Sequence, residues 1–387
     1  MVTPNMTTQD NASFDIQNET RQSVQPKNLV QSSVPPLAQE GTTAKQPQVQ
    51  ADLQQADEYA DLRLRVGQQG LFDKQIAYYV YKMVSTTGLL AVSLAVLALV
   101  DSLWVQLINA GFLGFVFAQI GFIGHDSGHR QIFRSARNNE ITSLVICFLL
   151  AFERSWWLDK HGRHHNNPNH LALDPDADFP VLAFTKEQAA KKRGVFKFIV
   201  KYQAFLFFPM LLLEGLGLRL AGFQYVLANK IKYPVAEPLL MVAHIAVYFG
   251  LLFFFLSAWH VVLFFAIHQA LYGLFVGSVF APNHKGMLMV GEGEKMDFLR
   301  RQVLTARNVR ANPLIDFWYG GLNYQIEHHL FPNMARNKLK EAQVVTRAFC
   351  NEHAIPYYET GVFRSVKEIL QSLHEESAPL RGEKAKV

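Results

Sequence analysis

The chain has 387 residues, half of them hydrophobic, with two cysteines and a formal net charge of +5. Cys147 and Cys350 stand far apart and neither belongs to a Cys-x-x-Cys, so a disulfide framework, an iron–sulfur centre and a zinc ribbon find no support. The small positive excess reads as the positive-inside bias of a membrane protein rather than as a nucleic-acid surface.

Residues 1–55 are rich in Gln, Asn, Ser, Thr and Pro. They lack the basic start and apolar core of a secretory signal. Such a composition cannot bury enough apolar surface to fold, so a disordered tail is expected. An amphipathic lead-in follows over 56–75, with Leu62, Leu64 and Val66 among charges. From Tyr78 to Gly124 the sequence is apolar, holding only Lys82 near its start and Asp101 near its middle. A bilayer core of about 30 Å takes about 20 apolar residues at 1.5 Å each. Asp101 and Ser102 divide the block into two spans, Met83–Val100 and Leu103–Gly124, which predicts a hairpin. Soluble helices seldom lack a polar face over two consecutive spans.

Residues 125–195 are polar and carry many bases, among them Arg130, Arg134, Arg137, Lys160 and Arg193. The turn at Asp101-Ser102 carries none, so this stretch is expected on the cytoplasmic side. Three further apolar stretches cover 198–220, 238–256 and 260–282. If the histidines before and after them build one site, an even number of crossings separates the two. Lys201, Glu214 and Arg219 would be costly at mid-membrane, which makes 198–220 the interfacial one. The other two form a second hairpin turning at Ser257–His260. No repeat of 20–50 residues occurs, and no Gly-rich nucleotide loop. The expected fold is all-α and integral to the membrane. Four transmembrane helices form two hairpins, joined by interfacial helices and a cytoplasmic helical cap. The expected divisions are a tail at 1–55, a membrane domain at 56–345 and a cytoplasmic helical tail at 346–387.

None of the 14 histidines precedes His125. Three clusters then appear: His125-Asp-Ser-Gly-His129, His161-Gly-Arg-His164-His165 and Gln325-Ile-Glu-His328-His329. On a helix, positions i, i+3 and i+4 share a face, so each cluster aims its imidazoles at one place. One such pair arises often by chance; three on one inferred face do not. Seven imidazoles exceed the three or four that one zinc takes, and suit two metals. With no thiolates, at a membrane edge, the set fits oxygen activation by iron. A metal transporter would instead place its ligands within the spans, near the midplane.

The three clusters resemble the histidine boxes of the membrane fatty acid desaturases, and the likeness runs over residues 76–345. Gln325 at the head of the third box resembles the front-end branch, the delta-6, delta-5 and delta-8 enzymes. Asn169 to Asp176 resembles the segment that follows box two in that family. The resemblance implies a di-iron centre that uses O2 and two electrons to remove two hydrogens from adjacent methylenes of a long-chain acyl lipid or acyl-CoA. It implies metal ligands at His125, His129, His161, His164, His165, His328 and His329. It further implies a ligand between the last span and box three, for which His284 of Pro282-Asn283-His284-Lys285 is the candidate. Gln325 either ligates through its carbonyl oxygen or orients a water. Asp126, Glu140, Asn169, Asp174, Asp178 and Glu327 are candidate partners for the outer nitrogens of ligating imidazoles. Trp156, Trp157, Phe317, Trp318 and Tyr319 are candidates for lining an acyl channel. Many front-end enzymes carry a fused haem domain with a His-Pro-Gly-Gly signature, which this sequence lacks. A separate ferredoxin-like or small-cytochrome donor is therefore expected, in a bacterial cell membrane, with both termini and the site cytoplasmic. The rival within the same chemistry is a hydroxylase or alkane monooxygenase.

Overall fold

The computed structural model describes residues 46–228 and 231–383, with side chains from Asp57 onward. The tail expected at 1–55 lies outside the described residues as far as 45. Helix α1, Gln46–Gln68, follows it. Leu62 and Val66, four residues apart, are fully buried, while Leu64 between them is exposed, which is the amphipathic face read from the sequence.

The first hairpin joins α2, Ile76–Leu99, to α3, Leu103–Gly128. A three-residue turn is possible in apolar surroundings because a side chain satisfies the open carbonyls at the end of α2. Gln106 donates to Val96 O at 2.9 Å and to Val100 O at 2.6 Å. Asn109 adds a bond to Ser93 O at 3.0 Å. Both helices outrun the expected spans. Helix α2 begins seven residues before Met83, and α3 runs four residues past Gly124, so that His125 sits on its last turn.

Two helices then meet at 111°: α4, Ala136–Leu150, and α5, Arg154–Asn166. The bend falls at Ala151, in the left-handed region at φ 48°. The sequence reading treated this stretch as polar throughout and missed α4, because Arg137 and Glu140 dilute the apolar run that follows. Glu153 caps α5, accepting from Ser155 N at 3.1 Å and from Trp156 N.

Short helices follow: α6, Lys186–Lys191; α7, Gly194–Lys201; α8, Gln203–Leu211; α9, Glu214–Ala228. The expected interfacial stretch is thus broken, with 100° between α7 and α8. None of these helices is long enough to cross a membrane alone. Arg219 is satisfied by Leu150 O at 3.0 Å, Gly215 O at 2.7 Å and Gln269 Oε1 at 2.6 Å.

The second hairpin is α10, Ala236–Phe255, and α11, Ala258–His284. Among the described residues, α2, α3, α10 and α11 are the four single helices whose length and apolarity suffice to cross a membrane. Helix α11 lies against α3. Gly114 permits the close approach, since a Cβ there would stand 3.0 Å from Tyr272 N and 3.1 Å from His268 O.

The cap contains α12, Phe298–Leu304; α13, Pro313–Trp318; α14, Gln325–Leu330; α15, Leu339–Glu352; and α16, Val362–Glu376. Two short parallel strands, β1 (Asn308–Val309) and β2 (Glu359–Thr360), tie its two halves. A second core joins Leu62 and Val66 of α1 to Leu299, Ile326, Leu330 and Phe349. Helix α16 packs Ile369 and Leu373 against Phe207 and Leu211 of α8. The fully buried Arg307 pins it further, donating to Pro282 O at 2.6 Å and pairing with Glu368 at 2.5 Å.

Candidate metal centre

Four elements bring the histidines together. Helix α3 supplies His125 on its last turn and His129 just beyond it. Helix α5 carries His161, His164 and His165, α11 ends at His284, and α14 carries Gln325, His328 and His329. All lie at the end of the spanning helices where Ile76, Gly128 and His284 emerge. The base of the first hairpin is fastened there to the cap. Tyr79 donates to Gln131 Oε1 at 2.9 Å, Gln131 donates to Pro332 O at 2.8 Å, and Arg336 pairs with Asp126 at 2.5 Å.

The imidazoles form two groups, His125 with His129, His161 and His328, and His164 with His284 and His329. In each group the facing nitrogens lie within 4.8 Å of one another. His165 stands between them, its ring stacked on His329 at 4.2 Å and its Nε2 3.0 Å from His161 Nε2. Every histidine expected at the site is therefore in it, including His284.

The proton positions of the second group follow from its partners. His164 Nδ1 faces the Asp174 carboxylate at 3.0 Å, and His284 Nδ1 faces Thr305 O at 3.0 Å. His329 Nδ1 faces Gln302 Oε1 at 2.9 Å, and the other end of that amide donates to His165 O at 2.9 Å. Each partner atom only accepts, so each ring carries its proton on Nδ1 and a lone pair on Nε2. Yet His164 Nε2 and His284 Nε2 are 3.3 Å apart, and His284 Nε2 and His329 Nε2 are 3.1 Å apart. Three lone pairs pointed at one place suit a cation between them. Burial first, then the neighbouring imidazoles, holds His328 and His329 well below the ordinary histidine range, which keeps the rings neutral and able to ligate. In the other group both ring nitrogens of His328 are buried without a hydrogen-bond partner among the described residues. Buried polar atoms left so cost about 1–3 kcal/mol each. The residues present fit a metal site.

The outer partners match the sequence reading in part. Asp174 takes the expected place behind His164, and Asp126 stands 3.3 Å from His125 Nδ1. Asn169 acts one step further out. Its side chain donates to His284 O, Leu288 O and Thr305 O, at 3.1, 3.1 and 3.2 Å, and so holds the backbone around His284. Asp178 is exposed; Asp176, two residues earlier, faces His164 at 3.8 Å instead. Glu327 turns away from the imidazoles, accepting from Asn308 at 2.7 Å and Tyr357 at 2.8 Å, with burial pushing its carboxyl up to about 7. Glu140 pairs with Arg154 at 2.9 Å rather than with a histidine. Gln302 and Thr305 were missed, since neither lies beside a box in sequence and Thr305 acts through its backbone.

Gly128, inside the first box, has a steric reason. A Cβ there would lie 2.1 Å from Trp157 Cζ3. The bare backbone lets Trp157 stack on His161 at 4.5 Å.

An apolar cavity of about 360 Å³ reaches α11 just before His284. Ala281 and Pro282, just before His284 on α11, form one wall, and Phe207, Leu211, Val366 and Ile369 form others. Trp318 and Tyr319 line it as expected. Trp156, Trp157 and Phe317 do not; Trp157 braces histidines instead, and Phe317 packs on Phe115 at 5.8 Å.

Comparison with known proteins agrees with this geometry. Residues 102–361 match the family model described as fatty acid desaturase. The chain is 29% identical over 329 residues to an acyl-lipid (9-3)-desaturase of Physcomitrium patens, covering 82% of this chain and 62% of that relative's length. It is 31% identical over 334 residues to a delta-6 fatty acid desaturase of Caenorhabditis elegans, covering 82% and 74%. It is 28% identical over 322 residues to a delta-8 fatty acid desaturase of Arabidopsis thaliana, covering 78% and 70%. These relatives are eukaryotic and lend nothing to the expected bacterial source. By the breadth of the family match and by the boxes it contains, this membrane-integral chain belongs to the fatty acid desaturase family.

Proposed function

We propose that the chain is a front-end fatty acyl desaturase with a two-iron centre. One iron is held by His125, His129, His161 and His328, and the other by His164, His284 and His329, with His165 between them. The observation that carries this reading is the convergence of buried imidazole nitrogens from four elements into two groups. The acyl substrate loses one hydrogen from each of two adjacent carbons. One O2, two electrons and two protons are consumed, and two waters leave. Bound iron supplies the reactivity toward an unactivated C–H bond. The protein's own contribution is to place the chain and keep water out. The apolar cavity against Ala281 and Pro282 suits a stretch of methylenes, and Asp174, Gln302 and Thr305 fix the rings of His164, His329 and His284.

The relatives named for delta-6 and delta-8 positions support a front-end outcome, as does Gln325 at the head of box three. Arg130, Arg134 and Arg137 lie on the histidine side of the spans, while the turns at Val100–Ser102 and Leu256–Ser257 carry no base. That asymmetry favours a cytoplasmic centre. The same basic face suits docking of an acidic electron donor, a ferredoxin-like protein or small cytochrome.

The test is expression in a host without polyunsaturated lipids, fed defined fatty acids, with double bonds located by mass spectrometry. The expected product carries a new double bond between an existing one and the carboxyl end, and the His164→Ala variant makes none. A hydroxylated product would move the assignment to the hydroxylase rival.

A further inference from the structure

Gln325 occupies the place where the other box of this pattern, His161-Gly-Arg-His164-His165, has a histidine. What it presents to the centre follows from a chain of accept-only and donate-only atoms. Asn283, fully buried, has one end of its amide 3.2 Å from Leu322 O. A backbone carbonyl only accepts, so that end is the NH2. The same NH2 lies 3.0 Å from one end of the Gln325 amide, which must then be the oxygen. The Gln325 NH2 is left facing inward, 2.9 Å from His284 Nε2. An amide nitrogen donates hydrogen bonds and has no lone pair free for a metal.

We propose that Gln325 is a hydrogen-bond donor beside the metal position of His164, His284 and His329, not a ligand to it, and that Asn283 is the positioning residue that turns it so. The proposal rests on the two-iron reading above. It makes the two positions unequal: one is ringed by four imidazoles, the other by three and an amide N–H that faces His284 Nε2. A metal held by His284 Nε2 would take the lone pair that this N–H faces and leave the N–H for an anionic ligand entering beside it.

Iron content and azide affinity of the purified, iron-loaded protein separate the possibilities. Wild type should hold two irons per chain. Gln325→Leu should also hold two, and its azide affinity should fall about tenfold with the donor gone. Asn283→Asp can only accept from Gln325, so it turns the amide and brings the carbonyl inward; iron becomes slower to strip with a chelator and azide again binds more weakly. If that buried carboxylate prevents folding, Asn283→Leu, which frees the amide, should weaken azide by about threefold while keeping both irons. Gln325→Leu with one iron per chain, or with unchanged azide affinity, overturns the proposal alone. Wild-type protein that takes up fewer than two irons overturns the two-iron reading and this proposal with it.

Discussion

The two histidine groups are held by different means. Around His164, His284 and His329 each outer nitrogen donates to a fixed acceptor: Asp174, Thr305 O and Gln302. Around His125, His129, His161 and His328 the support is mostly contact. Trp157 stacks on His161 and stands edge-on to His125 and His129, and among the described residues only His125 has a carboxylate, Asp126, near its outer nitrogen. A hydrogen bond sets which nitrogen carries the proton and where the lone pair points; packing sets only where the ring lies. The His164 group is thus fixed in direction before any metal arrives, and the His125 group leaves more of that work to the metal.

Removing an acceptor tests the difference most strongly. Asp174→Ala should weaken metal binding at the His164 position by about 100-fold, the upper end for such partners, because it unsets the His164 tautomer and frees Asn169 N, which donates to the same carboxylate at 2.7 Å. Competitive titration against a chelator should show one tight and one weakened metal; equal weakening of both would break the comparison. Gln302→Leu should cost about tenfold at the same position, the lower end, since a neutral amide polarises His329 less than a carboxylate polarises His164. It also strips His165 O of its donor, so a loss confined to the other position would show that His165 belongs there.

The sequence made the boxes and the two hairpins legible because their signals are local: apolar runs of spanning length, and histidines at helical spacing; His284 came only through the family resemblance. What it hid was anything that depends on the chain folding back. Gln302 and Thr305 lie 20 residues or more from any box and reach the rings only because α12 packs against α14. Asp178 was named as a partner and Asp176, nearer to the second box, was not. The 3₁₀ turn at Pro175–Ala177, opened by Asp174 accepting from Asp176 N at 2.8 Å, sends Asp176 inward and Asp178 out to solvent. Glu327 adjoins a histidine in sequence yet points to the opposite side of its helix, where Asn308 and Tyr357 receive it. Helix α4 was hidden because its polar first turn breaks the apolar run from which a buried helix is read.

The smallest expected effect bears on the group held by packing. Trp157→Leu keeps an apolar side chain against Gly128 but removes the flat face on His161. Aromatic contacts of this kind contribute about 0.5–1.5 kcal/mol beyond the area they bury. Metal affinity at the His125 position should therefore fall only about three- to tenfold, with the His164 position untouched. His161 is also 2.9 Å from His129 and 3.0 Å from His165 through Nε2, so in the metal-free protein its ring gains freedom that the metal must remove on binding. The loss should appear as slower metal uptake more than as faster release, because once a cation sits among the rings it orders them itself. A loss as large as that of Asp174→Ala would mean that Trp157 sets the direction of the His161 lone pair, and that the two groups are held by the same kind of constraint after all.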